Sequence, residues 1–317
     1  MPLSKPRIAR WVRVIVVVAL LSAAAFFFRD HLGFIRQGVV AVRDAQPGWV
    51  AVACVLCAVS FVAMSEVMVV LLRSAGVKVR RRQALGLVLA ANAWSNSLPA
   101  GPTLSTVLQV RVQRSWGASL VIIGWFVVLS SALSTLWLVL LGLLAVFFFD
   151  ASFSASSLLG MGAIALAATG AVFAISHHPR VLTKLPLLGS EKTVHHIEQL
   201  HTVSLSFARF LLAATLSLLN RLSDLFTLWV ALIAILPEAP HIAGVALAFL
   251  TAKIVGATGI TPGGLGPLEA ALTAALVATG IPATAALAGV LVYRMISFIG
   301  ATAIGWVSYA LITKETP

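Results

Sequence analysis

The sequence predicts an all-α, polytopic membrane protein with about six full spans plus two re-entrant broken helices arranged as inverted repeats. Three observations lead to this fold class. Hydrophobic residues make up 60% of the chain and charged residues only 10%, whereas an ordinary soluble domain carries about 25% charged residues. Lys- and Arg-rich segments separate the apolar runs, the pattern that orients membrane helices with positive charge on the cytoplasmic side. Two runs are interrupted by proline and glycine, NSLPAGPTLS at 96–105 and TPGGLGPLEAA at 261–271. Irregular backbone at membrane depth survives only where protein or a cavity surrounds it.

At roughly 20 residues per span, six to eight membrane elements occupy the 317 residues and leave no room for a soluble catalytic domain. The formal charge of +12 falls between apolar runs, so it is read as a topology determinant that also attracts anionic headgroups, not as a nucleic-acid surface. Cys54 and Cys57 form a C-x-x-C inside WVAVACVLCAVSFVAM. A redox or metal role would need a polar setting and further ligands, so both are read as small hydrophobes within a span.

The chain divides into one integral membrane domain, 1–317. An N-terminal span and loop (11–44) precede repeat one (45–149), a linker span with a cytoplasmic interfacial helix (150–208) and repeat two (209–317). The first span, 11–28, follows Lys5, Arg7 and Arg10 and lacks a small-residue cleavage site, so it is expected to stay attached. A loop from Arg29 to Pro47 leads to the second span, 48–72, and then to Arg73, Lys78, Arg80, Arg81 and Arg82. Glu66 lies near that end and is expected to pair with Arg73 or its neighbours. The first broken element runs from Ala84 to Val110 and is flanked by Arg111 and Arg114. With basic residues on both sides, a hairpin that enters and leaves by the cytoplasmic face satisfies the charge rule better than a crossing.

Spans at 119–149 and 158–176 come next, the second ending at HHPRVLTKL. Residues 185–208 alternate apolar and polar groups like a helix lying on the membrane surface. His195, His196 and His201 lack the three- or four-residue spacing that aligns ligands on a helix face, so no metal site is assigned. The span at 209–236, the second broken element at 242–280 and a last span at 283–311 complete the chain. This arrangement keeps every strongly basic segment, and both termini, in the cytoplasm of a cell whose plasma membrane holds the protein.

The breaks resemble each other. Each restarts with Gly-Pro, Gly101-Pro102 and Gly266-Pro267, with Pro99 or Pro262 a few residues earlier. Glycine followed by proline suits a helix N-terminus, where the missing N–H is not needed. Each break also lies between two full spans, and one extra span between the units inverts the second relative to the first. Paired interrupted helices in two halves point to a transporter's central site, with half-helix N-termini aimed at anionic groups.

NSLPAGPTLS with basic residues after it, and TPGGLGPLEAAL followed by a span containing an arginine, resemble the two signature regions of the lysylphosphatidylglycerol synthase transmembrane-region family, the flippase-like membrane proteins. The resemblance covers roughly residues 45–311. It implies a membrane region similar to a flippase for aminoacylated phospholipid. In two-part members a separate soluble domain attaches the amino acid. This sequence has no counterpart of that domain, so synthase activity is not expected of it.

Ionisable residues within spans mark pathways or paired sites. Here they are Arg221, Asp224, Lys253, Glu269 and Arg294. Arg221 and Asp224 share a helical face and are able to neutralise one another; Asn220 and Asp224 share a face that suits a polar cavity. Lys253 and Arg294 lie too deep to reach water and each requires an anion, for which Glu269 is a candidate. Glu269 also falls in the first turn after Pro267, where a carboxylate suits the helix dipole. The expected substrate site joins the backbone N–H groups of Gly263, Gly264 and Gly266 with Lys253 and Arg294 around a lipid phosphate. Glu269 or Asp224 balances charge or recognises a cationic headgroup, and Asn92, Asn96 and Gly101 contribute from the first break together with Asn220 and Arg221.

The function expected is therefore a flippase-like transporter of an anionic or aminoacylated phospholipid, or of a polyprenyl-phosphate-type lipid, with membrane lipids as partners and no cofactor. A membrane-embedded transferase is the alternative, although D-x-D, H-E-x-x-H and Walker sequences are all absent from the chain. An accessory subunit is the third reading, and the intramembrane charges argue against it.

Overall fold

The computed structural model describes residues 32–149, 205–257 and 261–315, together with the isolated positions 163, 167 and 170. The expected first span (11–28), fourth span (158–176) and most of the interfacial helix (185–208), with its three histidines, lie outside the described residues. Those described form an all-helical bundle. In chain order the helices are α1 (Leu32–Asp44), α2 (Pro47–Ser74), α3 (Arg81–Ser97), α4 (Gly101–Ser115), α5 (Leu120–Phe149), α6 (Phe207–Ile233) and α7 (Ile242–Ala257). A 3-10 turn (Pro262–Gly264) and α8 (Pro267–Ala278) follow. The last rod is continuous: α9 (Ala283–Arg294), a π-helical segment (Met295–Gly300) and α10 (Ala301–Glu315).

Four of these elements are long and apolar enough to cross a membrane: Pro47–Ser74, Leu120–Ala145, Phe207–Ile233 and Ala283–Ile312. They match the four expected spans that fall within the described residues. The 30 residues of α5 reach about 45 Å at ~1.5 Å each, against a hydrocarbon core of roughly 30 Å. The two broken elements are also where the sequence puts them. Helix α3 stops at Ser97 and α4 starts at Gly101, with Pro102 in its first turn. In the second element α7 gives way to the turn, and α8 starts at Pro267 after Gly266.

One expectation changes. Residues 29–47, read as a loop, contain α1. Gly38, Ala41 and Ala45 are its buried positions, a spacing of three and four that gives one narrow face, and this face packs on α9. Arg36 and Arg43 interrupt the apolar pattern, and all three buried residues are small, so the helix carries little hydropathy signal of its own.

The packing follows a simple plan. The most extensive interface joins α2 to α6. Helix α3 folds back on α4 and also packs along α10, while α7 folds back on α8 and packs along α5. The α3–α10 contact is close: a Cβ added at Gly305 would lie 2.3 Å from the Leu89 carbonyl oxygen. Small residues at such a crossing let two backbones approach and gain dispersion contacts where lipid supplies no hydrophobic driving force. Two apolar clusters hold the bundle, one built on α2, α3 and α5 and the other on α6, α7, α8 and α9.

Candidate functional site

Both breaks open on one polar cavity of about 660 Å³. Its walls come from α2 (Ser60), α3 (Asn92, Ser95, Asn96), α6 (Asn220, Arg221, Asp224), α7 (Lys253), the 3-10 turn (Gly263, Gly264) and the last rod (Tyr293, Arg294, Ser297, Phe298). Asn92, Asn96, Asn220, Arg221, Asp224, Lys253, Gly263, Gly264 and Arg294, all singled out from the sequence, thus share one space.

Three of the expected residues take other positions. Gly101 packs instead of lining the cavity: a Cβ there would lie 2.1 Å from the Ser95 carbonyl oxygen, so the start of α4 fits against the end of α3 only without a side chain. Gly266 gives its N–H to Glu269 Oε2 at 2.6 Å, and Gly264 gives its N–H to the Thr261 carbonyl at 2.9 Å. Two of the N–H groups expected to receive a phosphate are therefore used within the turn. Glu269 stands behind the wall as the cap of α8 and the partner of Arg294. A carboxylate at this position satisfies an orphan N–H and suits the positive end of the helix.

The Arg294 guanidinium knits the second break together. Its Nε donates to Glu269 Oε1 at 2.5 Å and its Nη2 donates to the Gly263 carbonyl at 2.8 Å. It also lies over the Phe298 ring, 4.1 Å from the centroid. Both members of the pair are buried, at 6% exposure each, so each supplies the countercharge the other needs away from water.

A second charged group faces the cavity directly. Lys253 Nζ donates to Asp224 Oδ2 at 2.5 Å, and the Tyr293 hydroxyl donates to Asp224 Oδ1 at 2.9 Å. Asp224 pairs with Lys253 from α7, not with Arg221 on its own helix as the spacing suggested. Arg221 turns its Nη2 to the Ser134 hydroxyl on α5 and leaves its buried Nε without a hydrogen-bond partner. Ion pairs of the described residues include Arg81–Glu66, Lys253–Asp224 and Arg294–Glu269. Arg221 belongs to none of them; the Asp224 carboxylate that acts on it electrostatically is already bound by Lys253 and Tyr293. Among the described residues, Arg221, Lys253 and Arg294 therefore stand against only Asp224 and Glu269 around the cavity. The 3.0 Å Arg81–Glu66 pair meets the expectation for Glu66.

The neutral groups divide similarly. Asn220 Nδ2 bonds the Ser60 carbonyl and hydroxyl oxygens, both at 2.9 Å, which ties α6 to α2. Asn96 Nδ2 donates to Thr302 Oγ1 at 3.1 Å, tying α3 to α10. Asn92 Nδ2 is buried on the cavity wall with no protein partner. Sequence reasoning missed Tyr293, Ser134 and Ser60. The signal for Tyr293 was present: it is one of only two tyrosines in the chain and directly precedes Arg294.

Among the described residues no group of three or more His, Cys, Asp or Glu is arranged to hold a metal ion. Cys54 is exposed and Cys57 buried, and both are free thiols.

Long apolar helices around a charged cavity, with two helix breaks at its edge, define the class: an integral membrane protein that offers a polar site within its membrane bundle. The chain belongs to the family of the lysylphosphatidylglycerol synthase TM region, whose pattern matches residues 10–305. That family places it among membrane proteins associated with lipid metabolism or translocation. No curated protein matches the chain.

Proposed function

We propose that the protein is a flippase-like transporter that carries an anionic lipid headgroup, of a phospholipid or a polyprenyl phosphate, through the cavity between its two broken helices. The observation that carries this reading is Arg221. A guanidinium whose buried Nε has no acceptor and whose carboxylate, Asp224, is shared with Lys253 is costly within a membrane bundle, and a phosphate supplies both further negative charge and acceptors suited to its planar set of donors. Asn92, with an unused buried N–H on the same wall, offers a neutral donor from the other half of the molecule. On this reading the chain moves a lipid made elsewhere and performs no chemistry on it.

The packing supports inverted repeats of 45–149 and 209–317. Exchanging the two units turns the α3–α10 contact into the α7–α5 contact and the α2–α6 contact into itself. The Ser60–Asn220 bond lies at that crossing: Ser60 is thirteen residues beyond Pro47 in α2, and Asn220 is thirteen beyond Phe207 in α6. A contact between matching positions of two units is the mark of a two-fold relation. Six spans with two re-entrant breaks, in a plasma membrane with both termini cytoplasmic, then satisfy the positive-inside rule.

The test is translocation of a fluorescent phosphatidylglycerol in vesicles. Arg221→Ala is expected to lower the rate at least ten-fold, and Arg221→Lys to recover part of it. Thermal unfolding should stay near wild type in both variants, because the hydrogen bond lost is the one to Ser134 and Asp224 keeps Lys253 as its partner. A folded Arg221→Ala protein that translocates at the wild-type rate would overturn the proposal.

A further inference from the structure

We infer that a groove beside the polar cavity is a binding site for one hydrocarbon chain of the lipid, so that headgroup and chain are held together on the two sides of Phe61. The inference rests on the proposed function and names how the substrate's apolar part is recognised.

The groove has a volume of about 490 Å³. Val39 and Val42 of α1, Cys54, Ala58 and Val62 of α2, and Leu85 and Leu89 of α3 supply much of its wall, and the last rod closes it from Met295 to Ile304. Apart from thiol and thioether sulfur, every one of these side chains is hydrocarbon, so a headgroup gains no hydrogen bond there and a chain gains dispersion contact along its length. Val39 and Val62, at 53% and 46% exposure, stand open to the surroundings.

Adjacency to the charged cavity points to the occupant. Cys57 and Phe61 line both spaces. Beyond them the wall changes from aliphatic groups to Ser60, Asn92, Arg221 and Asp224 within the width of one helix. A ligand spanning that boundary needs an ionic end and an apolar end joined covalently, which is the constitution of a lipid. The π segment takes part in both walls: Ser297 and Phe298 face the cavity, while Met295, Ile296 and Gly300 face the groove. A π turn rotates successive side chains differently from an α turn and is frequent at functional sites; here it lets one stretch of helix serve two spaces of opposite polarity.

The experiment uses the full chain in nanodiscs containing an anionic phospholipid with a diazirine midway along one acyl chain. After irradiation, adducts are expected at Ala58, Val62 and Ile304 at least five-fold above those at Val127 and Val128, which are exposed on α5. Ala58→Trp, which fills the groove, should remove these adducts and slow translocation at least ten-fold. Val55→Trp, on α2 but outside the groove, should do neither. If Ala58→Trp does not fold, alkylation of the folded protein at exposed Cys54 with a long-chain maleimide blocks the same groove. In both cases binding of sn-glycerol 1-phosphate, which has no chain, should persist.

Adducts no denser in the groove than on α5, or normal transport through a filled groove, would overturn the inference. So would Cys54 cross-links showing that residues 14–28 of this chain occupy the groove. Failure of the wild type to bind glycerol phosphate would count against the proposed headgroup site instead, and the two readings are thereby tested separately.

Discussion

The two helix breaks do the same job with different physics. At the first, the chain turns through Ala100, the only non-glycine residue with positive φ among those described (53°), and Gly101 lets α4 begin against the Ser95 carbonyl. Neutral hydrogen bonds hold it: Asn96 to Thr302, and Trp306 to the Ser97 hydroxyl at 3.1 Å. At the second, three glycines take φ values of 61°, 71° and 88° at positions 263, 264 and 266, and the Glu269–Arg294 pair fastens the turn to the last rod. Shape maintains the first break and charge the second. A charged fastening costs most when one partner is lost, because the other is then stranded away from water. The second break is therefore the more vulnerable to a single substitution.

The largest effect should follow Glu269→Ala. It leaves the Arg294 charge buried without a counterion and the Gly266 N–H without an acceptor. Removing one partner of a buried pair costs about 3–5 kcal/mol. Glu269→Gln keeps an oxygen for the Gly266 N–H and should lose less. Both are measurable as the unfolding midpoint in detergent, followed in a Cys54→Ser background by a thiol-reactive fluorophore that gains access to buried Cys57. A Glu269→Ala protein within ~0.5 kcal/mol of wild type would mean that water reaches Arg294, since surface pairs contribute only about 0–1 kcal/mol.

A smaller loss is expected at the first break. Gly101→Ala forces a methyl group against a backbone carbonyl that has no rotamer to change, and overpacking of this kind typically costs about 1–3 kcal/mol. The same fluorophore assay gives the value. A loss as large as that of Glu269→Ala would show that the two breaks are equally rigid and that the contrast drawn above is wrong.

Much of this was legible beforehand, because membrane constraints write themselves into composition. The proline and glycine clusters located both breaks, and the rule that buried ions need partners gathered Arg221, Asp224, Lys253 and Arg294 before any contact was known. The partners themselves were less accessible. Glu269 and Arg294 lie 25 residues apart and Asp224 and Lys253 lie 29 apart, so each pairing depends on how separate helices cross. Helical spacing alone favoured Arg221 with Asp224, because it sees only neighbours on one helix; the arrival of Lys253 and Tyr293 from other helices decided the matter. Helix α1 was hidden for another reason: a face made of Gly38, Ala41 and Ala45 buries little area per residue and leaves almost no hydropathy signal.

The smallest predicted effect sharpens the comparison in the opposite direction. Ala100 adopts the left-handed region, which costs an L-residue other than glycine roughly 1–2 kcal/mol, and its side chain is exposed, so its methyl group buries little. Ala100→Gly relieves that strain. It also enlarges the conformational freedom of the unfolded chain, an opposing effect of about 0.4–1 kcal/mol. The net expectation is a gain in stability below about 1 kcal/mol, read as a slightly higher midpoint with unchanged translocation. No relief of this kind is available at the second break, where glycines already occupy positions 263, 264 and 266. A loss of stability on Ala100→Gly would show that the methyl group makes a contact that holds α3 and α4 apart, and that the first break is not maintained by backbone shape alone.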